Sequence, residues 1–148
     1  MFEHLRELLR QSAQAPQRAA QDEPRLAAAV LLLEVARADY QHAPVEHATL
    51  RAGLAREFGV PEASLEALLG QADLRARQSV SLFDFVQTLN RTMAPEDRRG
   101  LLDLLWQVAH ADGRVDPHEE HLIRRLAHLL HLSHADFIRG KLAAGEKD

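Results

Sequence analysis

The chain contains no cysteine, which excludes disulfides, thiolate zinc sites and cysteine nucleophiles and fits a reducing compartment. Long apolar stretches are also missing. The longest, residues 26–33, falls well short of the roughly 20 residues that cross a bilayer. The opening Met1-Phe2-Glu3-His4-Leu5-Arg6-Glu7 carries charge where a signal peptide needs its apolar run, so a cytoplasmic location is expected. Nor is there an excess of positive charge: 18 Lys and Arg stand against 22 Asp and Glu, for a net charge of −4. The basic residues are scattered, with Arg75/Arg77, Arg98-Arg99 and Arg124-Arg125 set among carboxylates or apolar residues. Nucleic-acid affinity needs a concentrated basic face for counterion release, so nucleic acid is not an expected partner. Runs of β-branched residues and period-two alternation are absent too, which removes the signal for strands.

What is present is alanine, leucine, arginine and glutamate in a chain of 148 residues, enough for one domain with a core of its own. Pro24, Pro44, Pro61, Pro95 and Pro117 each precede an amphipathic segment. A first helical turn tolerates proline because that nitrogen has no intrahelical partner. Capping-box patterns begin at Ser81, Asp116 and Ser133, with Asp84, Glu119 and Asp136 as their acidic partners. The pattern predicts helices near 2–13, 24–40, 44–58, 61–76, 81–92, 95–112, 117–131 and 134–143. The expected fold is an all-α compact bundle of about seven to eight helices. Residues 1–23 read as an N-terminal helix and connector, and 24–148 as the helical domain.

The chain repeats itself. Ala36-Arg37-Ala38-Asp39, four residues, then Pro44-Val45-Glu46 matches Ala109-His110-Ala111-Asp112, four residues, then Pro117-His118-Glu119, at a constant offset of 73. Past a one-residue slip, Leu50, Leu54, Phe58 and Val60 match Leu122, Leu126, Leu130 and Leu132. Apolar matches alone are common to amphipathic helices; a shared Asp–Pro–Glu frame at fixed spacing is not. Residues 24–69 and 97–142 are therefore read as two helix–acidic turn–helix units bridged by a helix at 81–92.

The turns carry the chemistry. Leu101, Leu105, Val108 and Asp112 fall on one helical stripe, so Asp112 ends an apolar face and Gly113 follows as a helix stop. Leu32, Ala36 and Asp39 repeat that arrangement. A carboxylate at a helix C-terminus meets the negative end of the macrodipole, at a cost of a few tenths of a kcal/mol or more. Glu119 shares a face with Leu122, Leu126, Leu129 and Leu130 and is expected to face the core, whereas Glu120 is expected to point to solvent. In an antiparallel hairpin Asp112, Asp116 and Glu119 converge, and neighbouring carboxylates repel unless protonated, hydrogen-bonded or neutralised by a cation. The segment 112–119 imitates the second half of an EF-hand loop, but Val108 and His110 stand where the first acids belong. In the first unit Tyr40 replaces the glycine and Ala43 the middle acid. Two readings remain open. In one, Asp116 and Glu119 are caps and Asp39 and Asp112 are Asx clips; in the other, Asp39, Glu46, Asp112, Asp116 and Glu119 bind a hard divalent cation, calcium or magnesium, and because the two share residues they are compatible.

The run from Leu101-Leu102-Asp103-Leu104-Leu105-Trp106 through Ala109-His110-Ala111-Asp112-Gly113-Arg114-Val115-Asp116-Pro117-His118-Glu119 to Leu126 resembles the tellurite-resistance protein B (TerB) family. The likeness extends through Leu132-Ser133-His134-Ala135-Asp136-Phe137-Ile138 and includes Leu82-Phe83 and Leu89-Asn90-Arg91, covering about residues 20–142. It is similar to the small stand-alone bacterial branch. The resemblance implies a pseudo-symmetric helical bundle and acidic positions that take a divalent cation: Asp112, Asp116 and Glu119, with Asp39 and Glu46 in the first unit. It also implies a role in tellurite and other stress resistance within membrane-linked protein complexes.

Other features read more plainly. His118, His121 and His128 flank one side of a helix, but Arg125 interrupts them and a surface stripe is expected rather than zinc. Trp106 lies off the main stripe and is expected to fill a second core face. The N-terminal Phe2, Leu5, Leu8 and Leu9 stripe has balanced charge, which suits docking onto protein better than a membrane surface. No phosphate loop or nucleophile–base motif appears, so a non-enzymatic role is expected. The leading reading is a cation-binding module that engages a protein partner, with self-association open. The alternative is a metal-free interaction scaffold, and a carboxylate hydrolase using Asp39, Glu46, Asp112 and Glu119 is a distant third.

Overall fold

A computed structural model describes residues 23–38, 44–79 and 81–146. Every regular element among them is an α-helix: α1 (23–38), α2 (Pro44–Glu57), α3 (Glu62–Gln78), α4 (Phe83–Thr92), α5 (Pro95–His110), α6 (Pro117–Leu129) and α7 (His134–Glu146). The helix expected at 2–13 lies outside the described residues. The apolar run that is too short for a membrane is instead the inside of the protein. In α1, Ala27 through Leu33, Val35 and Ala36 are buried, so this helix is enclosed on all sides, as its all-round hydrophobicity requires.

The second spine is α5. It packs against α2, α6 and α7 and buries Leu101, Leu102, Leu104, Leu105, Trp106, Val108 and Ala109. Trp106 is 0 % exposed and donates its indole N–H to Phe137 O at 3.1 Å, which satisfies its one polar atom. Close approach at this contact needs a small residue on α7. A Cβ on Gly140 would lie 2.7 Å from Trp106 Cδ1 and 3.1 Å from Asp103 Oδ1.

The outer helices are tied on differently. Only Leu65 and Ala72 of α3 are buried, and ion pairs Arg37–Asp73 and Arg51–Glu66 fasten it to α1 and α2. α4 lies against α6. There Asn90 Nδ2 donates to Leu129 O at 3.0 Å, while Arg98 donates to Leu130 O at 2.5 Å and to Asn90 Oδ1 at 3.3 Å. These donors satisfy the last carbonyls of α6, which have no intrahelical partner. The chain then turns through His131 at φ 60, a left-handed conformation that histidine tolerates better than most residues.

Of the boundaries that differ from expectation, two do so for clear local reasons. α4 starts at Phe83, and Ser81 Oγ accepts the Phe83 N–H at 3.3 Å instead of forming the expected capping box with Asp84. α5 stops at His110 rather than 112, because Gly113 at φ 84 returns its N–H to His110 O at 2.9 Å.

Glycine substitutions separate packing from propensity. Gly100 lies inside α5 with nothing within 4 Å of an added Cβ, so Gly100→Ala should raise stability by about 0.5–1 kcal/mol. Gly140→Ala should lower stability, since overpacking against the indole costs typically 1–3 kcal/mol. Thermal melts of the two variants check both signs.

Candidate functional site

The acidic turn between α5 and α6 is built by its own backbone demands. After the last turn of α5, Asp112 leaves the helix and its Oδ1 accepts the Arg114 N–H at 3.1 Å. This is an Asx clip of the kind its position suggests. Asp116 then takes extended dihedrals, φ −69 and ψ 141, as the N-cap of α6. Its Oδ1 accepts the His118 N–H at 2.8 Å, and Glu119 Oε1 accepts the Asp116 N–H at 3.0 Å. Both arms of the capping box are present, with Pro117 at the first helical position.

Glu119 is the unusual member. It is 0 % exposed and is the one buried charged residue among those described. Its place on the Ile123–Leu126–Leu130 side of α6 carries it inward, as the periodicity predicts. A buried carboxylate is costly unless hydrogen-bonded or neutralised, and the Asp116 amide supplies one such bond. Asp112 and Asp116 stay half-exposed at the rim.

The structure therefore brings Asp112, Asp116 and Glu119 to one turn, and the oxygens described above are engaged with backbone amides. No group of three or more His, Asp or Glu side chains among the described residues is arranged to hold a metal ion. Asp39 lies outside the described residues, as does the Glu46 side chain; the α2 backbone places position 46 in that helix's first turn.

Glu120 departs from expectation. It is not free in solvent but bonded to Lys141 Nζ of α7. That hydrogen bond, with the Lys141 and Arg124 charges, holds its carboxyl below the ordinary value of 4.5 against the opposing effect of burial. Asp136 closes the expected capping box at α7: Ser133 Oγ accepts its N–H at 3.0 Å, and Asp136 Oδ2 accepts the Ser133 N–H at 3.2 Å. Burial pushes its carboxyl up, but the Ser133 hydrogen bonds and the Arg139 and Arg99 charges prevail and leave it below 3.8.

Sequence reasoning missed Asn90, Arg98 and Lys141. Each joins positions 21–39 residues apart, and no local spacing encodes such pairs. A cleft of about 580 Å³ between the start of α1 and the start of α5, lined by Arg25, Phe58, Met93, Glu96 and Asp97, includes none of Asp112, Asp116 and Glu119.

The model of the family described as Tellurite resistance protein TerB matches residues 25–142. The chain belongs to the TerB family. No curated protein and no solved structure matches it significantly. The TerB match takes in α1, the acidic turn and the capped start of α7, and leaves the expected N-terminal helix outside.

Removing the cap tests its contribution. Asp116→Ala should lower unfolding free energy by about 1 kcal/mol, a fall of roughly 2–4 °C in melting temperature for a domain of this size. A pH series tests the second box. The folded-state carboxyl of Asp136 titrates below 3.8, so its stabilisation is full above that ordinary value and is lost as pH falls through the lower folded one. Wild type should therefore melt above Asp136→Asn at neutral pH, and the gap should close under acid.

Proposed function

We propose that this TerB-family chain is a non-catalytic interaction module of the tellurite- and stress-resistance kind, in which the acidic α5–α6 turn serves first as a structural clip. The observation that carries this reading is the Asp116–Glu119 capping box with Glu119 fully buried. A carboxylate committed to a backbone amide inside the core is placed to set a helix angle, and it is poorly placed to move a proton to or from a substrate. The cleft of about 580 Å³ includes neither Asp112 nor Glu119, so it lends the hydrolase reading no support.

The two-unit organisation, 24–69 and 97–142, belongs to the same proposal. Support comes from the second helix of each unit. α2 and α6 both begin at proline, and both are followed by a residue in the left-handed region, Gly59 at φ 62 and His131 at φ 60. The module acts in the cytoplasm on a protein partner; no helix among the described residues is long and apolar enough to cross a membrane.

A second reading, a hard divalent cation such as calcium or magnesium at Asp112, Asp116 and Glu119 with Asp39 and Glu46, is favoured by one feature. Asp112 and Asp116 stand half-exposed at the mouth of a turn whose third acid is buried, and a cation would relieve their mutual repulsion. Chelator-stripped wild type, Asp112→Asn and Glu119→Gln separate the two in melts titrated with calcium, magnesium, manganese and zinc. A site adds about 2.7 kcal/mol of stability at a hundredfold excess of ion over its dissociation constant. The clip reading predicts melting temperatures lowered by both substitutions and no ion-specific rise in any of the three proteins. A rise in wild type alone, for a hard cation, would replace it with the cation reading.

A further inference from the structure

The histidines that the acidic turn leaves aside come together elsewhere. Where α6 turns into α7, a cleft of about 160 Å³ is lined by Arg124, His128, Ser133, His134 and Phe137, with Ala127 and Leu132 completing its wall. Arg124 and His128 are one helical turn apart on α6 and both are exposed. His134 opens α7, and its ring stacks on Phe137 with centroids 5.7 Å apart. The Arg124 guanidinium carbon lies 5.2 Å from the centroid of that same ring. Phe137 is itself buried, so a guanidinium and an imidazole both pack against one buried aromatic ring, and a second imidazole and a hydroxyl share the cleft lining.

No carboxylate lines this cleft, although the chain as a whole carries a net charge of −4. The nearby acids are already committed: Glu120, whose carboxyl feels the Arg124 charge, is bonded to Lys141, and Asp136 is bonded around its own turn. Its Oδ2 takes the Ser133 N–H, its Oδ1 takes Arg139, and Arg99 of α5 adds a further positive charge toward it. A ligand entering here therefore meets Arg124, His128 and His134 on a lining that holds no carboxylate. The volume also limits what can enter. Drug-sized ligands and cofactors occupy roughly 300–1,000 Å³, so 160 Å³ suits a small ion with a few waters and excludes a nucleotide's base and sugar.

We propose that the Arg124–His128–His134 cleft binds a small oxyanion of the phosphate type, free or carried as a monoester. Arginine presents paired N–H donors that match the oxygens of such a group. The imidazoles add ring N–H donors beside it. This inference is independent of whether the acidic turn binds a cation, because none of its residues belongs to that turn.

The probe is inorganic sulfate, added to the full chain at constant pH and ionic strength while imidazole resonances are followed by NMR. The expected result is saturable shifts of His128 and His134, with His47 on α2 unmoved. Arg124→Gln should weaken binding about tenfold or more with its melting temperature near that of wild type. That side chain is exposed, so its contact with the ring adds little to stability. Shifts that fail to saturate, that include His47 equally, or that survive Arg124→Gln would overturn the proposal. Titration with inorganic phosphate and with O-phosphoserine then names the source. Equal affinity assigns the site to the free ion, and tighter binding of the ester assigns it to a phosphate carried on another molecule.

Discussion

The hydrogen bond from the Asp116 amide to Glu119 sets the geometry on which this structure depends. It closes the start of α6 around a carboxylate that is wholly buried, in a fold whose other buried side chains are apolar among those described. The bond does two things at once. It satisfies a first-turn amide that has no intrahelical acceptor, and it gives a buried charge a donor that it would otherwise lose with its water. Because Glu119 lies among the inward residues of α6, the same bond fixes how that helix faces α5.

The rest of the bundle follows from helices with unequal amounts of apolar surface. α1 and α5 bury the most apolar side chains and supply the interior, while α3 is mostly exposed and held by ion pairs. Exposed ion pairs contribute little each, so α3 is held more weakly than the helices packed on α5. At the other end, Asn90 and Arg98 finish α6, and Ser133 with Asp136 starts α7. The turn between α6 and α7 is thus hydrogen-bonded from both sides, which gives the Arg124–His128–His134 cleft a rigid frame.

Much of this was legible in the sequence because it is local. Proline before each helix, Ser or Asp three residues before an acid, and the period of the leucines placed α2, α5, α6 and α7 closely. The same period places Glu119 inside. The Asx clip at Asp112 was open to the same reasoning. Long-range pairing was not. Lys141 captures Glu120 from another helix, and a wheel showing only that Glu120 faces outward cannot reveal what stands there. Nor did the spacing of His118, His121 and His128 reveal that only His128 lines the cleft, in the company of His134. That pairing is made by a turn through left-handed His131, for which the sequence carries no glycine as a signal.

The account rests on the clip being complete without an ion, and amide hydrogen exchange at Asp116 in chelator-treated protein tests this directly. The account predicts that this amide exchanges slowly, through opening of the α5–α6 hairpin rather than at the rate of an exposed turn, and that calcium or magnesium leaves it unchanged. An Asp116 amide that exchanges freely until a divalent cation is added would contradict it.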